Sequence, residues 1–358
     1  MTFMIAAAGT GGHVFPGLSV GEALLDLGVS RESITFVGGS RLEAKVYPEQ
    51  GFPFLEVELR GLQRSMTPKN LTLPGVIAKA RKRIRSALVT AGTKAVLGMG
   101  GYVTIPAGSA AKSAGVPFFV SEQNAHAGLA NKVASRWADV SFVSFPQTEG
   151  LPSGEWVGNP VRAPFWAFER DALKTEAMKK YGLNPALPVL GVFGGSLGAG
   201  VINDAIVDLV HDWDGPSLQI IHLTGERNID ALSGLSSGSV TWTRVPFEES
   251  MEVFYAACDL VVARAGGAVA ELTATATPSI LIPGDFGSGG HQSANAKFLT
   301  ESGASITLGE TELRGLAAVV GETLFGPEPL GEMVRSARRI ARPKAAHEIA
   351  KRMIEAAA

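Results

Sequence analysis

One pattern constrains this chain more than any other: an apolar strand running into a glycine-rich turn, stated four times in two matched pairs. The first pair is Ala6-Ala7-Ala8-Gly9-Thr10-Gly11-Gly12-His13 and Gly98-Met99-Gly100-Gly101-Tyr102. The second is Val192-Phe193-Gly194-Gly195-Ser196-Leu197-Gly198-Ala199 and Ala263-Arg264-Ala265-Gly266-Gly267. Around these turns, short apolar runs alternate with segments of helical spacing, such as Val201, Ile202, Ala205, Ile206 and Leu209. The runs fall at 3–7, 34–37, 95–97, 117–120 and 140–143, then at 189–193, 218–223, 260–263 and 279–282. Such alternation predicts parallel sheets with helices on both faces. The expected fold class is therefore α/β, with two Rossmann-like, doubly wound domains. Parallel sheets carry their loops at the strands' carboxyl ends, so two such halves are expected to face a central cleft.

The expected division is 1–161 and 162–341, with a hinge at Gly158-Asn159-Pro160-Val161-Arg162, where Pro160 fixes φ and donates no hydrogen bond. The amphipathic tail from Lys344 is expected to cross back, which assigns 342–358 to the first domain.

A chain of 358 residues can bury two cores, and 46% hydrophobic against 18% charged residues excludes intrinsic disorder. The single cysteine, Cys258, excludes a disulfide framework and fits a reducing cytoplasm. No basic residue precedes Arg31, and no apolar run is long and unbroken enough to span a bilayer, so a soluble or membrane-surface protein is expected. Charge is distributed unevenly. Between Leu59 and Ser121 ten basic residues stand without one Asp or Glu, leaving 22 of the 32 basic residues against all 34 acidic ones elsewhere. That block calls for an anionic partner: nucleic acid, phospholipid or a phosphorylated substrate.

Glycine-rich turns at helix starts expose backbone N–H groups, a ready cradle for phosphate. None of the four is a G-x-G-x-x-G fingerprint, and none is followed by G-K-[ST], which removes the support for a nicotinamide dehydrogenase or a P-loop NTPase. Gly194-Gly195-Ser196-Leu197-Gly198 fits the nucleophile elbow of a hydrolase, but that reading leaves the first half unexplained; Ser196 is better read as a hydroxyl donor to phosphate. Asp212-Trp213-Asp214 falls at a helix end rather than a strand end and is read as a polar terminus. No other carboxylate or histidine group has metal-ligand spacing, so no metal and no cofactor is expected.

At these residues the chain resembles a known family. The turns above occur in order with Glu122-Gln123-Asn124, Gly158-Asn159-Pro160-Val161-Arg162, Arg264-Ala265-Gly266, Glu271 and His291-Gln292-Ser293-Ala294-Asn295-Ala296. The set, spread over nearly the whole chain, resembles the MurG family, the bacterial N-acetylglucosaminyltransferases of peptidoglycan synthesis. The resemblance implies a GT-B fold and inverting transfer of N-acetylglucosamine from UDP-N-acetylglucosamine to lipid I, giving lipid II. It also implies work at the cytoplasmic face of the cell membrane, against an anionic surface rather than nucleic acid.

The resemblance assigns roles residue by residue. His13 would be the base, and Thr10, Gly11 and Gly12 would offer donors to the acceptor diphosphate. Tyr102, Glu122 and Asn124 would line the acceptor half. In the donor half Arg162 and Ser196 would hold the nucleotide and diphosphate, Glu271 the ribose hydroxyls, and His291 and Gln292 the sugar. Phe247 and Glu248 would lie along the uracil. The turn Gly267-Ala268-Val269 lacks the family's customary threonine and is one residue shorter before Glu271, so backbone donors would serve the α-phosphate. Arg264 can equally be a structural strand-end residue. Two other readings remain: another GT-B enzyme, such as a glycolipid glycosyltransferase or a sugar-nucleotide epimerase, and a non-catalytic nucleotide-sugar sensor, which would have no need of His13.

Overall fold

The computed structural model describes residues 1–58, 73–195, 198–232, 239–284, 290–326 and 328–358. They form two compact units, Met1–Ala163 with Arg342–Ala358, and Pro164–Ala341.

The first unit runs β1 (Thr2–Ala6), α1 (Gly11–Asp26), β2 (Ile34–Gly38), α2 (Leu42–Glu49), β3 (Phe54–Glu56), α3 (Leu73–Ala91), β4 (Thr93–Gly98), α4 (Thr104–Ala114), β5 (Phe118–Glu122), α5 (Leu129–Ala134), β6 (Val140–Val143) and β7 (Glu155–Trp156). Its strands pair in parallel in the order β3-β2-β1-β4-β5-β6-β7. The second unit runs α6 (Arg170–Tyr181), β8 (Val189–Phe193), α7 (Gly200–Asp212), β9 (Leu218–Leu223), α8 (Ile229–Leu232), β10 (Val240–Val245), α9 (Met251–Ala257), β11 (Leu260–Ala263), α10 (Ala268–Ala274), β12 (Ser279–Leu281), α11 (His291–Glu301), β13 (Ser305–Thr307), α12 (Leu316–Phe325) and α13 (Pro329–Ile340). Its order is β10-β9-β8-β11-β12-β13, also parallel throughout. Both sheets thus share the doubly wound order, in which strands are added outward on one side up to the third and on the other side from the fourth, placing the switch point between the first and fourth strands.

All nine apolar runs of the sequence become strands. The four strands it did not announce, β3, β7, β10 and β13, are the four sheet edges. An inner strand of a parallel sheet is covered on both faces and is therefore mainly apolar; every residue of β5, β8 and β9 is buried, and polar ones among them such as Glu122 and His222 are hydrogen-bonded within the protein. An edge strand has one neighbour and partial cover, and β3, β7 and β13 are two or three residues long with exposed positions.

The acid-free stretch divides at α3. Ala80, Ile84 and Leu88 are buried in the first core with Val96, Ala107 and Phe118, at roughly 2 kcal/mol for each large side chain taken from water. Lys82, Arg83 and Arg85 face outward. Lys79 pairs with Glu58 at 3.0 Å, and Arg81 donates to Ser109 Oγ at 2.9 Å. The upstream part, with Leu62, Arg64, Met66, Lys69 and Leu71, lies outside the described residues.

The tail helix α14 (Ala345–Glu355) packs on α1, where His347 Nε2 meets Asp26 Oδ2 at 2.9 Å and Arg352 pairs with Glu155 at 2.9 Å. Where the chain re-enters the first unit, the Arg342 guanidinium stacks 3.9 Å from the Trp156 ring centre, and its side chain lies against Gly158, whose φ is +93°.

The glycine turns divide into two kinds. At Gly115, which caps α4 with φ +68°, an added Cβ would meet nothing within 4 Å; at Gly101, φ +73°, it would stand 2.3 Å from the Ala8 carbonyl oxygen. Gly115→Ala is therefore expected to cost only the left-handed penalty, about 1–2 kcal/mol. Gly101→Ala must also force two backbones apart, at more than ~3 kcal/mol. Urea unfolding of the two variants measures the difference.

Candidate active site

The carboxyl ends of β1, β4 and β5 bring the first unit's turns together. After β1, Gly9 (φ +107°) bends the chain, and Thr10, extended at φ −119° and ψ 161°, precedes α1 without a side-chain cap. Thr10 Oγ1 lies 3.4 Å from His13 Nδ1. The other edge of the imidazole lies over Gly100: a Cβ there would be 2.6 Å from His13 Cδ2 and 2.8 Å from Nε2. The second turn therefore makes the space in which His13 sits. That turn is itself held by Thr104 Oγ1, which accepts the Gly100 N–H at 3.0 Å. Tyr102 is half-buried, and burial raises its phenol above the usual range against the opposing charge of Arg41.

Glu122 is buried at 2% exposure and does not present a free carboxylate to a ligand. Its Oε1 accepts from the Asn124 backbone N–H at 3.0 Å and side-chain amide at 3.2 Å; its Oε2 accepts from the Gly128 N–H at 3.0 Å and Asn131 Nδ2 at 2.8 Å. It organises the loop that carries Asn124. Asn131 was not singled out from the sequence, nor was Glu43, which is fully buried and accepts N–H groups from Gly39 at 3.0 Å and Gly9 at 3.3 Å. A signal for Glu43 existed: Gly38-Gly39 after β2 is a further glycine turn, with an acid in the following helix. Nothing in the sequence joins Asn131 to Glu122.

Arg162 belongs to the first unit, not the second. It lies close enough to Glu22 on α1 to oppose the rise that burial imposes on that carboxyl.

In the second unit, Gly194 leaves room for the Ala199 backbone, 2.4 Å from where a Cβ would stand, and Gly198 (φ +74°) packs on the Thr224 carbonyl. Ser196, between them, lies outside the described residues. Beneath the start of α7, Asn203 Nδ2 donates to the Thr224 carbonyl at 3.1 Å, and its Oδ1 lies 3.0 Å from His222 Nε2. After β11, Gly266 and Gly267 stand in open space ahead of Ala268 and Val269, and Glu271 is half-buried with its Oε2 accepting from the Tyr255 hydroxyl at 3.0 Å. Asn295 Nδ2 ties α11 to this turn through the Ala265 carbonyl at 3.1 Å. His291 opens α11, and the next residue, Gln292, accepts the Gly284 N–H at 2.9 Å, which orients its amide.

Arg264 and Glu248 are both held by bonds within the second unit. Arg264 is buried, pairs with Glu310 at 2.6 Å and donates to the Ile282 carbonyl at 3.1 Å. Glu248 is buried beside the exposed Phe247. Burial alone would raise its carboxyl, but hydrogen bonds from Lys180, Tyr181 and the Ser250 N–H overcome that and lower it. Asp212-Trp213-Asp214 ends α7, and among the described residues no three His, Cys, Asp or Glu side chains gather as a metal site.

Two units of this strand order, each with glycine-rich turns at the carboxyl ends of its first and fourth strands, define the GT-B class of nucleotide-sugar enzymes. The chain belongs to the MurG family of glycosyltransferases. Residues 3–143 match the glycosyltransferase family 28 N-terminal domain and residues 189–353 its C-terminal domain. A relative from Dechloromonas aromatica, named UDP-N-acetylglucosamine--N-acetylmuramyl-(pentapeptide) pyrophosphoryl-undecaprenol N-acetylglucosamine transferase, is 36% identical over 98% of this chain and 97% of its own length. The crystal structure of Acinetobacter baumannii MurG superposes with TM-score 0.82 at 28% identity, covering 99% of both chains. A UDP-GlcNAc 2-epimerase from Neisseria meningitidis, covered in full and covering 99% of this chain, reaches TM-score 0.69 at 13% identity, a likeness of fold alone.

His222 gives the second unit a pH signature. Burial, with the Arg244 charge adding to it, pushes its imidazole down to about 4 from 6.5. Between those values the unfolded chain binds a proton that the folded one does not. Stability from this group is therefore complete above 6.5 and falls as pH drops toward 4. Relative to His222→Gln, the native chain is expected to lose about 2 kcal/mol more between pH 7 and pH 5, read by urea unfolding at each pH.

Proposed function

We propose that this chain transfers N-acetylglucosamine from UDP-N-acetylglucosamine to the muramyl sugar of the undecaprenyl-pyrophosphoryl acceptor lipid I, forming lipid II with inversion. The observation that carries this reading is a relationship over almost the whole chain to transferases named for that reaction. The first unit takes the acceptor and the second the donor. Thr10, Gly11 and Gly12 offer backbone and hydroxyl donors to the acceptor diphosphate at the start of α1. His13, held between Thr10 and Gly100, takes the proton from the acceptor hydroxyl as its oxygen bonds to the anomeric carbon and UDP departs. The Tyr102 ring and Asn124, set in place by Glu122, flank that step. Ser196 and the first turn of α7 stabilise the departing diphosphate, and Gly267, Ala268 and Val269 the α-phosphate. Glu271 accepts the ribose hydroxyls, His291 and Gln292 contact the sugar, and Phe247 lies along the base.

An epimerase shares the fold, but its soluble substrate gives no use to an exposed basic stripe, and a sensor gives none to His13. Release of UDP from UDP-N-acetylglucosamine is expected only when a lipid I analogue is present, with the sugar recovered on that analogue; equal release without it overturns the reading. His13→Ala is expected to lower turnover by at least ~10², the ordinary contribution of a general base, with UDP affinity unchanged.

The outward basic stripe of α3 supports attachment to the membrane that holds the acceptor. Among the described residues no helix is long and apolar enough to cross a bilayer. Lys82, Arg83 and Arg85 would each add about 1 kcal/mol against anionic lipid. Replacing them with glutamine is expected to weaken binding to anionic vesicles and transfer to a long-chain acceptor, while sparing a water-soluble short-chain one. Equal loss with both acceptors would place these charges elsewhere in the reaction.

A further inference from the structure

Behind Glu271 stands a brace that the reaction above does not use. Arg170, at the start of α6, sends Nη1 to the carbonyl oxygens of Tyr255 and Cys258, the latter at 2.7 Å. Its Nη2 donates to the Thr275 carbonyl at 3.2 Å and Thr277 Oγ1 at 2.7 Å. One guanidinium thus fixes the end of α9 and the end of α10 together. Each of those segments holds one end of Glu271. Thr275 gives its N–H and its Oγ1 to the Glu271 carbonyl, both at 2.9 Å, and the Tyr255 hydroxyl reaches the carboxylate at Oε2.

Tyr255 is itself immobilised. It is fully buried, with its ring edge-on to Phe165, Phe193 and Phe254 at centroid distances of 5.8, 6.2 and 5.6 Å. A phenol packed on several sides is a fixed point, whereas a glutamate on the first turn of a helix has three torsions to order. A carboxylate has about four lone-pair positions, so the phenolic hydrogen bond orients it without by itself using up its capacity to accept hydroxyls.

We propose that Tyr255 is a positioning residue for nucleotide recognition: it orients the Glu271 carboxylate to accept both hydroxyls of a ribose, making the site selective for ribonucleoside over 2′-deoxyribonucleoside diphosphates. This rests on the reading of Glu271 as the ribose ligand. An ordinary buried tyrosine also seeks a polar partner, so the test must separate aim from packing. Calorimetry with UDP and 2′-deoxy-UDP on the native chain, Tyr255→Phe, Glu271→Gln and the double variant does so. Tyr255→Phe is expected to weaken UDP about fivefold, the worth of one ordinary hydrogen bond, and to leave 2′-deoxy-UDP nearly unchanged. In the Glu271→Gln background the same change should have no further effect on UDP. Equal losses for both nucleotides, or a loss that persists without the carboxylate, would mean packing alone and overturn the proposal. If Glu271→Gln collapses the preference for UDP and Tyr255→Phe does not, the brace alone fails. If Glu271→Gln leaves the preference intact, the ribose reading fails and takes the brace with it.

Discussion

At the carboxyl ends of β1 and β4 two turns meet through backbone. The Ala8 carbonyl lies where a Cβ of Gly101 would be, and the His13 ring lies where a Cβ of Gly100 would be. Adjacent parallel strands end side by side, so the turns leaving them must share a few ångströms of space. Glycine is the residue that permits this, both by its missing side chain and by its tolerance of positive φ. The position of the proposed base therefore depends on a residue 87 places further along the chain, joined to it by the β1–β4 pairing.

That crowding creates a second problem, which the chain solves repeatedly. Turns that expose N–H groups need acceptors when they are buried. Glu43 takes two such groups beneath the first turn, and Glu122 takes four donors beneath the loop that bears Asn124. In the second unit Glu248 closes a loop in the same way. A carboxylate suits this because it only accepts and offers about four lone-pair sites, enough to replace the water it gives up. These acids act on the proposed reaction through the loops they shape.

The charge asymmetry of the chain has a comparable double character. Along α3 one face completes the core, and the other leaves Lys82, Arg83 and Arg85 in solvent. Helical geometry allows both in one segment, because residues three and four apart share a face while their neighbours point away. An anionic surface can then engage the outer face without disturbing the packing of the inner one.

By itself the sequence determined the two doubly wound units, their inner strands and the four glycine-rich turns. These follow from local physics: continuous apolar runs for strands covered on both faces, and glycine where the backbone turns sharply. It also supplied the residues now proposed for the reaction, including His13, Asn124, Glu271 and Gln292. The tertiary structure alone decided the edge strands, whose half-exposed residues carry a weak pattern, and the unit to which Arg162 belongs. It alone showed which of the named side chains are buried and hydrogen-bonded within the protein. The resemblance implies ligand roles for Glu122 and Glu248, and both carboxylates are buried and hydrogen-bonded to the protein. Asn131 and Tyr255 carry no motif, yet Asn131 donates to the Glu122 carboxylate that shapes the Asn124 loop, and Tyr255 donates to that of Glu271. A motif records residues that are neighbours along the chain; a brace joins residues that become neighbours only when the sheet brings its strand ends together.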